Sequence, residues 1–547
     1  MICILHGYLL EGSGSNLWTR SIVESLCRQG HDVHLMAQEN HPERYPFITE
    51  ARRYPPGGEP EVLLERRSEH PGKCILHKPV LGDTLPVYVR DRYEEFPRVV
   101  PMIELPTEEL DAYVERNVEV LRRVVRENGI TALHANHAVL MSVVAQRVGA
   151  ELGIPFAVMP HGSAIEFAVK RDDRLRALAA GAFRAAGRLL AIGEEMRQRV
   201  RDALPEVEGM EAKFSNLHLG VDTRQFVPVE RSERRETIHR LAESLRDVPR
   251  GREPAAAEAA LAGIHASMPL PEMQAAFAAA HRYDDKKPDA DLEAKLARVD
   301  WDRDPILLFV GRLISTKGVH AVIAALPLIL ERHPELRLLV VGHGPLREPL
   351  EAMLRALQAG DREMVERIVA WGRALEGAPE GEGGGTELTQ VASFLDALRE
   401  RGELEAYYEA GRKHVRPERA IFTGYLTHRE LHLLFPCTDV AVFPSVVREA
   451  GPLVFLEAMA SGAFPLGTYF GGMKASIDSV ADALPPGGAE AMKLRPEAEH
   501  TAGDIVRNVT AALESGRSAR EALFRVARER YDWTGVAAKL HRELEAM

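Results

Sequence analysis

Residues Ile2 to Gln38 read "ICILHGYLLEGSGSNLWTRSIVESLCRQGHDVHLMAQ". The opening "ICILHGYLL" is a short apolar run of the kind that forms a buried strand. A glycine-serine turn, "EGSGSN", interrupts it at Glu11 to Asn16. "LWTRSIVESLCRQG" then has helical spacing and stops at Gly30, and "HDVHLMAQ" supplies a second strand. Strand, helix, strand in that order predicts a parallel βαβ unit with a right-handed crossover.

The same alternation returns at Ile130 to Gly162, "ITALHANHAVLMSVVAQRVGAELGIPFAVMPHG", and again at "RLLAIGEEMRQRV". Together these predict one open α/β domain over residues 1–228. A second α/β pattern runs through "PILLFVGRLISTKGVHAVIAALPLILERHPELRLLVVGHGPL" and "AIFTGYLTHRELHLLFPCTDVAVFPS", predicting another such domain over 301–525. Two doubly wound domains in tandem are expected to face a central cleft, with the ligand at the carboxyl ends of their strands. Residues 229–300 and 356–417 break the alternation. Both are rich in Ala, Glu and Arg with helical periodicity and far exceed the ~4 to 6 residues of a typical connection, so they are expected to be helical insertions, the first near the interdomain hinge. The second contains "APEGEGGGTE", expected to be flexible and solvated. Residues 526–547 are expected to form a C-terminal helix able to cross back to the N-terminal domain.

Composition bounds the partners. Lys and Arg total 69 against 81 Asp and Glu, a net charge of −12, so nothing global draws the chain to nucleic acid or an anionic surface. The four cysteines are scattered without CxxC pairing, which argues against a disulfide framework or a zinc site and for a reducing compartment. The N-terminus lacks a basic n-region, and no apolar segment approaches the ~20 residues needed to span a bilayer. A soluble, cytoplasmic protein is expected. The stretch Val169 to Ala203, "VKRDDRLRALAAGAFRAAGRLLAIGEEMRQRVRDA", interleaves Arg with apolar residues and is a candidate for contact with a membrane surface.

Chemistry concentrates in Arg448 to Gly462, "REAGPLVFLEAMASG". Pro is favoured at the first helical position, so a helix is predicted to start near Pro452, with Glu449 in the preceding loop and Glu457 more than a turn inside. Two carboxylates beside free N–H groups at a helix start suit a ligand that offers both phosphate and hydroxyls. A sugar nucleotide has both.

This stretch resembles the E-x7-E signature of the retaining GT-B glycosyltransferases of the family-four group. The resemblance implies a nucleotide-sugar co-substrate and no other cofactor, with Glu449 on the transferred sugar, Glu457 on the ribose, and the backbone of Gly451, Pro452 and Leu453 against the sugar and diphosphate. "FVGRLISTKG" resembles the family's strand-turn motif and implies that Arg312 and Lys317 hold the donor diphosphate. Fixed cations there stabilise the charge that grows on the leaving group, with no metal site required. "VVGHGPL" and "FTGYL" resemble the glycine loop and the base-lining turn, implicating Gly342, Gly424 and Tyr425. In the first domain, "EGSGSN" resembles the loop facing the diphosphate, giving Gly12, Ser13 and Gly14, and "MPHG" resembles the motif whose histidine, here His161, lies near the transferred sugar. The chain departs from the pattern where "EAGPLV" lacks the usual aromatic after the first Glu, and where "IDSVADALPPGG" follows "GGMKAS".

The resemblance implies a metal-independent retaining transfer to an acceptor hydroxyl on a sugar, polyol or lipid that the sequence does not identify. Two other classes share part of this pattern. A dehydrogenase using NAD would need the third glycine of G-x-G-x-x-G, absent where Leu17 stands. A non-catalytic sugar-nucleotide-binding or regulatory protein would use the insertions as partner surfaces.

Overall fold

The computed structural model describes all residues except 89–92, 94–95, 378–384, 450, 452 and 516. The chain divides into two compact units, Met1–Gly220 with Arg530–Met547, and Val221–Glu529.

The first unit carries β1 (Ile2–Leu5), β2 (Val33–Met36), β3 (Ile48–Tyr54), β4 (Glu61–Glu65), β5 (Cys74–Pro79), β6 (Thr84–Val87), β7 (Arg98–Pro101), β8 (Ala132–Asn136), β9 (Phe156–Met159), β10 (Arg188–Ala191) and β11 (Phe214–Asn216). Nine of these form one sheet in the order β11-β10-β9-β8-β1-β2-β5-β3-β4, while β6 and β7 pair separately. Every pairing is parallel except β3 with β4. Strands β1, β2, β8 and β9 are buried along their whole length, which is why they read as continuous apolar runs rather than alternating ones. The helix Gly14–Arg28 packs against the helix Trp533–Glu545 near the chain's end. Here His31 stacks on His541 at 3.9 Å and Ser215 donates to Glu543 at 2.6 Å.

The second unit carries β12 (Ile306–Val310), β13 (Arg337–Val341), β14 (Ala420–Gly424), β15 (Val440–Phe443), β16 (Phe464–Thr468) and β17 (Lys493–Leu494), all parallel, in the order β14-β13-β12-β15-β16-β17. The stretch 229–300 belongs to this unit. Its helix Arg234–Ser244 packs on His428–Leu434, and buried Arg234 forks onto Asp439 at 2.8 and 3.0 Å. Asp439 also accepts from the backbone of Ile306 at 2.9 Å, tying the segment to the start of β12. Within 356–417 the helices Thr389–Glu400 and Leu404–His414 pack against Val319–Arg332, and Tyr407 donates to Ala324 O at 2.9 Å. Of the stretch expected to be flexible, residues 378–384 lie outside the described residues.

All four cysteines are buried and unpaired. Among the described residues no helix is long and apolar enough to cross a membrane. In Val169–Ala203 the residues Leu175, Phe183, Leu189, Leu190 and Val200 are fully buried in the core. The largest apolar side chains of this candidate membrane-contact stretch thus serve the core, while Ala177 and Ala185 are exposed and Leu178 is half-buried.

Candidate active site

In the second unit, successive strands run outward from β12 through β13 to β14, and the chain then returns to β15 on the other side of β12. Open parallel sheets bind ligands outside the strand ends at such a reversal. The loops that meet there are Gly311–Gly318 after β12 and the segment from Pro444 after β15. They are laced together at the backbone of Thr316: Val446 N donates to Thr316 O at 2.9 Å, and the Ser445 hydroxyl to the same oxygen at 3.3 Å. Gly318 has φ +72°, and a Cβ there would overlap the carbonyl oxygen of Pro444, so no other residue fits this crossing.

This lacing brings Lys317 Nζ to 2.8 Å from Glu449 Oε1. Both side chains are partly accessible, at 30% and 21%. The backbone oxygen of Glu449 accepts from Gly472 N at 2.8 Å, which fixes the carboxylate's root. Arg312, five residues before Lys317, is exposed, with no ion pair among the described residues. Gly451 is half-buried and Leu453 opens the helix Leu453–Ala460, while Pro452 lies outside the described residues.

Glu457 sits on that helix, 5% exposed. Its Oε1 lies 2.6 Å from His428 Nδ1, and its Oε2 is buried without a hydrogen-bond partner. A buried carboxylate oxygen left unpaired costs free energy that a hydroxyl donor would recover. His428 was not read from the sequence as a site residue. The signal was there in "LTHREL", whose Thr427 and Glu430 form the capping box that starts the helix His428–Leu434.

Beside these groups, the ends of β13 and β14 meet. Gly342 N donates to Gly424 O at 3.0 Å, and at φ +146° a Cβ on Gly342 would overlap the carbonyl of Gly311. Tyr425 is half-buried and stands edge-on to His343, with ring centroids 5.1 Å apart.

In the first unit the strand order reverses between β1 and β8. Gly12 and Ser13 end the exposed loop after β1, and Ser13 caps the helix Gly14–Arg28, which exposed Gly14 opens, by accepting from Asn16 N at 3.3 Å. His161, after β9, is 8% exposed and places Nε2 3.2 Å from Asn136 Oδ1. Asn136 in turn donates to Thr19 Oγ1 at 2.8 Å, linking His161 to the helix that Ser13 caps. Burial, reinforced by His6 and His134, holds the His161 imidazole down to about 3, so it is neutral and donates without charge. Its neighbour His137 has φ +72° and both ring nitrogens buried without a partner. Lying in "HANH", it drew no notice in the sequence. The predicted site residues thus gather at one reversal in each unit, with Arg312, Lys317, Gly342, Gly424, Tyr425, Glu449 and Glu457 in the second and Gly12, Ser13, Gly14 and His161 in the first. Among the described residues, no group of three or more His, Cys, Asp or Glu side chains is arranged to hold a metal ion.

The chain has the GT-B fold and carries glycosyltransferase domains. The family described as "Glycosyl transferase 4-like domain" matches residues 13–208, and families described as "Glycosyl transferases group 1" match 293–365 and 398–493. Glycogen synthase of Mycobacterium tuberculosis is 27% identical over 235 residues, 42% of this chain and 40% of that protein. The curated relatives matched are spanned over only 21% to 40% of their own lengths. Sucrose-phosphate synthase from Thermosynechococcus elongatus shares the fold at TM-score 0.53 and 17% identity, covering 100% of this chain and 99% of that one. Anabaena HepE, solved in complex with UDP and glucose, does so at 0.51 and 13%, covering 100% of both chains.

Proposed function

We propose that this protein transfers a hexose from a nucleoside diphosphate sugar to a hydroxyl of a sugar, polyol or lipid acceptor, with retention at the anomeric carbon and without a metal. The observation that carries the reading is the Lys317–Glu449 pair at the strand-order reversal of the second unit, flanked by the unpaired Oε2 of Glu457. Lys317, with Arg312 nearby in the chain, offers positive charge to a diphosphate. A diphosphate arriving at Lys317 competes with Glu449 for the ammonium, and the released carboxylate then faces the sugar that the diphosphate carries. The unpaired oxygen of Glu457 accepts a ribose hydroxyl.

In the reaction the bond between the anomeric carbon and the diphosphate oxygen breaks, and its electron pair leaves with the diphosphate. The acceptor oxygen adds on the same face, and its proton passes to the departing diphosphate. Arg312 and Lys317 stabilise the charge that develops, as preorganised donors do at a leaving group. Glu449 gains attraction as the sugar ring acquires positive character. The neutral His161 suits hydrogen bonding to a sugar hydroxyl rather than proton donation at physiological pH. A glycogen synthase among the relatives and a fold neighbour solved with UDP and glucose support a nucleotide-linked hexose as the donor class.

The test is a thermal-shift panel of UDP-, ADP- and GDP-hexoses. A donor at ~100 times its Kd stabilises the folded chain by about 2.7 kcal/mol, enough for a clear rise in Tm. A chain that no member of the panel stabilises is not a nucleotide-sugar enzyme.

A further inference from the structure

The loop Gly311–Gly318 is held from three sides. Leu313 N donates to His343 O at 2.7 Å, in the loop after β13, and Thr316 O accepts from Val446 N and the Ser445 hydroxyl after β15. The third hold comes from the stretch 356–417: Glu376 accepts from Ser315 N through Oε2 at 2.7 Å and from the Ser315 hydroxyl through Oε1 at 2.6 Å. Ser315 is 7% exposed and opens the single turn Ser315–Lys317. An N–H in the first turn of a helix has no partner within it, and a Ser, Thr, Asp or Asn at the preceding position ordinarily supplies one. Here that position is Ile314, whose side chain accepts nothing. Glu376 does so from 61 positions away.

The end that presents Glu376 is itself fixed. Glu376 stands directly after the helix Arg362–Leu375. Ala374 O accepts from Gln274 Nε2 at 2.9 Å, on the helix Leu270–Ala280 of the stretch 229–300, and Arg373 N donates to Thr386 O at 2.8 Å. A Cβ on Gly372 would overlap the side chain of Leu388, so the helix lies close against the segment that follows it. An ionised carboxylate that accepts two hydrogen bonds holds Ser315 more firmly than a neutral acceptor would. Its charge, two residues from Lys317, repels a diphosphate. The carboxylate therefore helps the site only if the order it imposes on the turn outweighs that repulsion. We propose that Glu376 is a positioning residue: through Ser315 it sets the turn from which Lys317 meets the donor diphosphate, so that the stretch 356–417 tunes the leaving-group contact. The proposal rests on the donor reading above.

The experiment measures Kd by calorimetry on the full chain for inorganic pyrophosphate, UDP, ADP and GDP, in wild type, Glu376→Ala, Glu376→Gln, Lys317→Ala and each Glu376 variant combined with Lys317→Ala. Glu376→Ala should weaken pyrophosphate and the preferred nucleoside diphosphate alike by ~10-fold, the scale of a lost hydrogen bond to a charged group. Glu376→Gln, which keeps one acceptor and the shape of the side chain should the alanine variant misfold, should weaken both by ~3-fold. In the Lys317→Ala background either change at Glu376 should cost less than ~2-fold, because a residue that acts through the ammonium has nothing left to position. The same fold loss in both backgrounds would make Glu376 merely structural and overturn the proposal. So would pyrophosphate binding that is unchanged or tighter in the Glu376 variants, the tighter case showing that repulsion is what the carboxylate contributes. Wild type binding none of the four probes would instead remove the donor reading, and the proposal with it.

Discussion

Lys317 Nζ and Glu449 Oε1 lie 2.8 Å apart although 132 positions separate them in the chain. A partly exposed pair of this kind contributes only ~0 to 1 kcal/mol to stability. The loops themselves are held by the hydrogen bonds that Val446 N and Ser445 Oγ donate to Thr316 O and by the close approach at Gly318. The pair can therefore be exchanged for ligand contacts without unfolding the site.

Removing either partner should therefore injure catalysis and spare the fold. Lys317→Ala is expected to lower kcat/KM by ~10²-fold or more, the scale seen when one preorganised charge-stabilising donor is lost. Glu449→Gln should depress kcat more than it raises the donor KM, because its carboxylate gains attraction only as the sugar ring becomes positive. Steady-state kinetics beside circular dichroism decides this, and a wild-type kcat in Glu449→Gln would remove that residue from the sugar.

Glu457→Gln should behave differently. Ribose hydroxyls look alike in ground and transition states, so the donor KM should rise while kcat stays near wild type. The same kinetics on His428→Ala should show a smaller rise in KM, since His428 orients Glu457 through the 2.6 Å contact rather than meeting the ribose. A kcat defect in Glu457→Gln matching that of Glu449→Gln would show that the two carboxylates do not divide the donor as assigned.

Gly318→Ala tests the crossing itself. With φ +72° and Pro444 O in the way, the added methyl must push the loops after β12 and β15 apart. Activity should fall at least as far as in Lys317→Ala, and Tm should drop, which Lys317→Ala does not require. A Gly318→Ala enzyme with normal Tm and rate would mean that the lacing is not needed.

The sheets were legible because strands such as "ILLFV" and "RLLVV" are buried on both faces and write themselves as unbroken apolar runs. Arg312, Lys317 and the two glutamates stood out because their spacing is local to one turn or one helix start. Pairings that depend on distant chain were not legible. His428 meets Glu457 from 29 positions away, and Asp285 meets His343 from 58. In sequence His281, Tyr283 and Asp285 are unmarked positions of the stretch 229–300, because nothing local announces that Glu348 will be buried beside them. His137 was invisible for the same reason. Its strained backbone and unpaired ring are properties of packing, not of the letters around it.

The pH dependence of stability should have two limbs with separate origins. In the first unit burial holds His6 and His134 down to about 4 and His161 to about 3, from an ordinary 6.5. Protons then bind the unfolded chain in preference, so stability should fall as pH drops below 6.5. His281 behaves oppositely: burial pulls it down, but Asp285 and Glu348 outweigh this and raise it to about 9. Its contribution should be complete below 6.5 and fade as pH rises through about 9. Calorimetry from about pH 4 to about pH 10 should show Tm declining on both sides, with His281→Gln flattening only the alkaline limb. An unchanged alkaline limb in that variant would separate His281 from the effect.

The first product should keep the donor's anomeric configuration, and turnover should survive EDTA. Proton NMR of the initial product and rates with and without chelator check both. An inverted anomer would discard same-face attack, and activity abolished by EDTA and restored by magnesium would show that Arg312 and Lys317 do not suffice.

The division of the chain into units also orders events during synthesis. The second unit is one unbroken segment, Val221–Glu529, whereas the first is assembled from Met1–Gly220 and the distant Arg530–Met547. Gly220 accepts the Trp533 ring so closely that a side chain there would overlap it, so the first unit's packing waits for residues translated after the whole of the second unit. At ~5 to 20 residues per second, the ribosome leaves the nascent first unit without its closing helix while more than three hundred further residues emerge, whereas the second can fold as soon as it is out. The first unit is begun before the second and completed after it, and its buried surface near Gly220 and the helix Gly14–Arg28 is the place where a chaperone would find this protein unfinished.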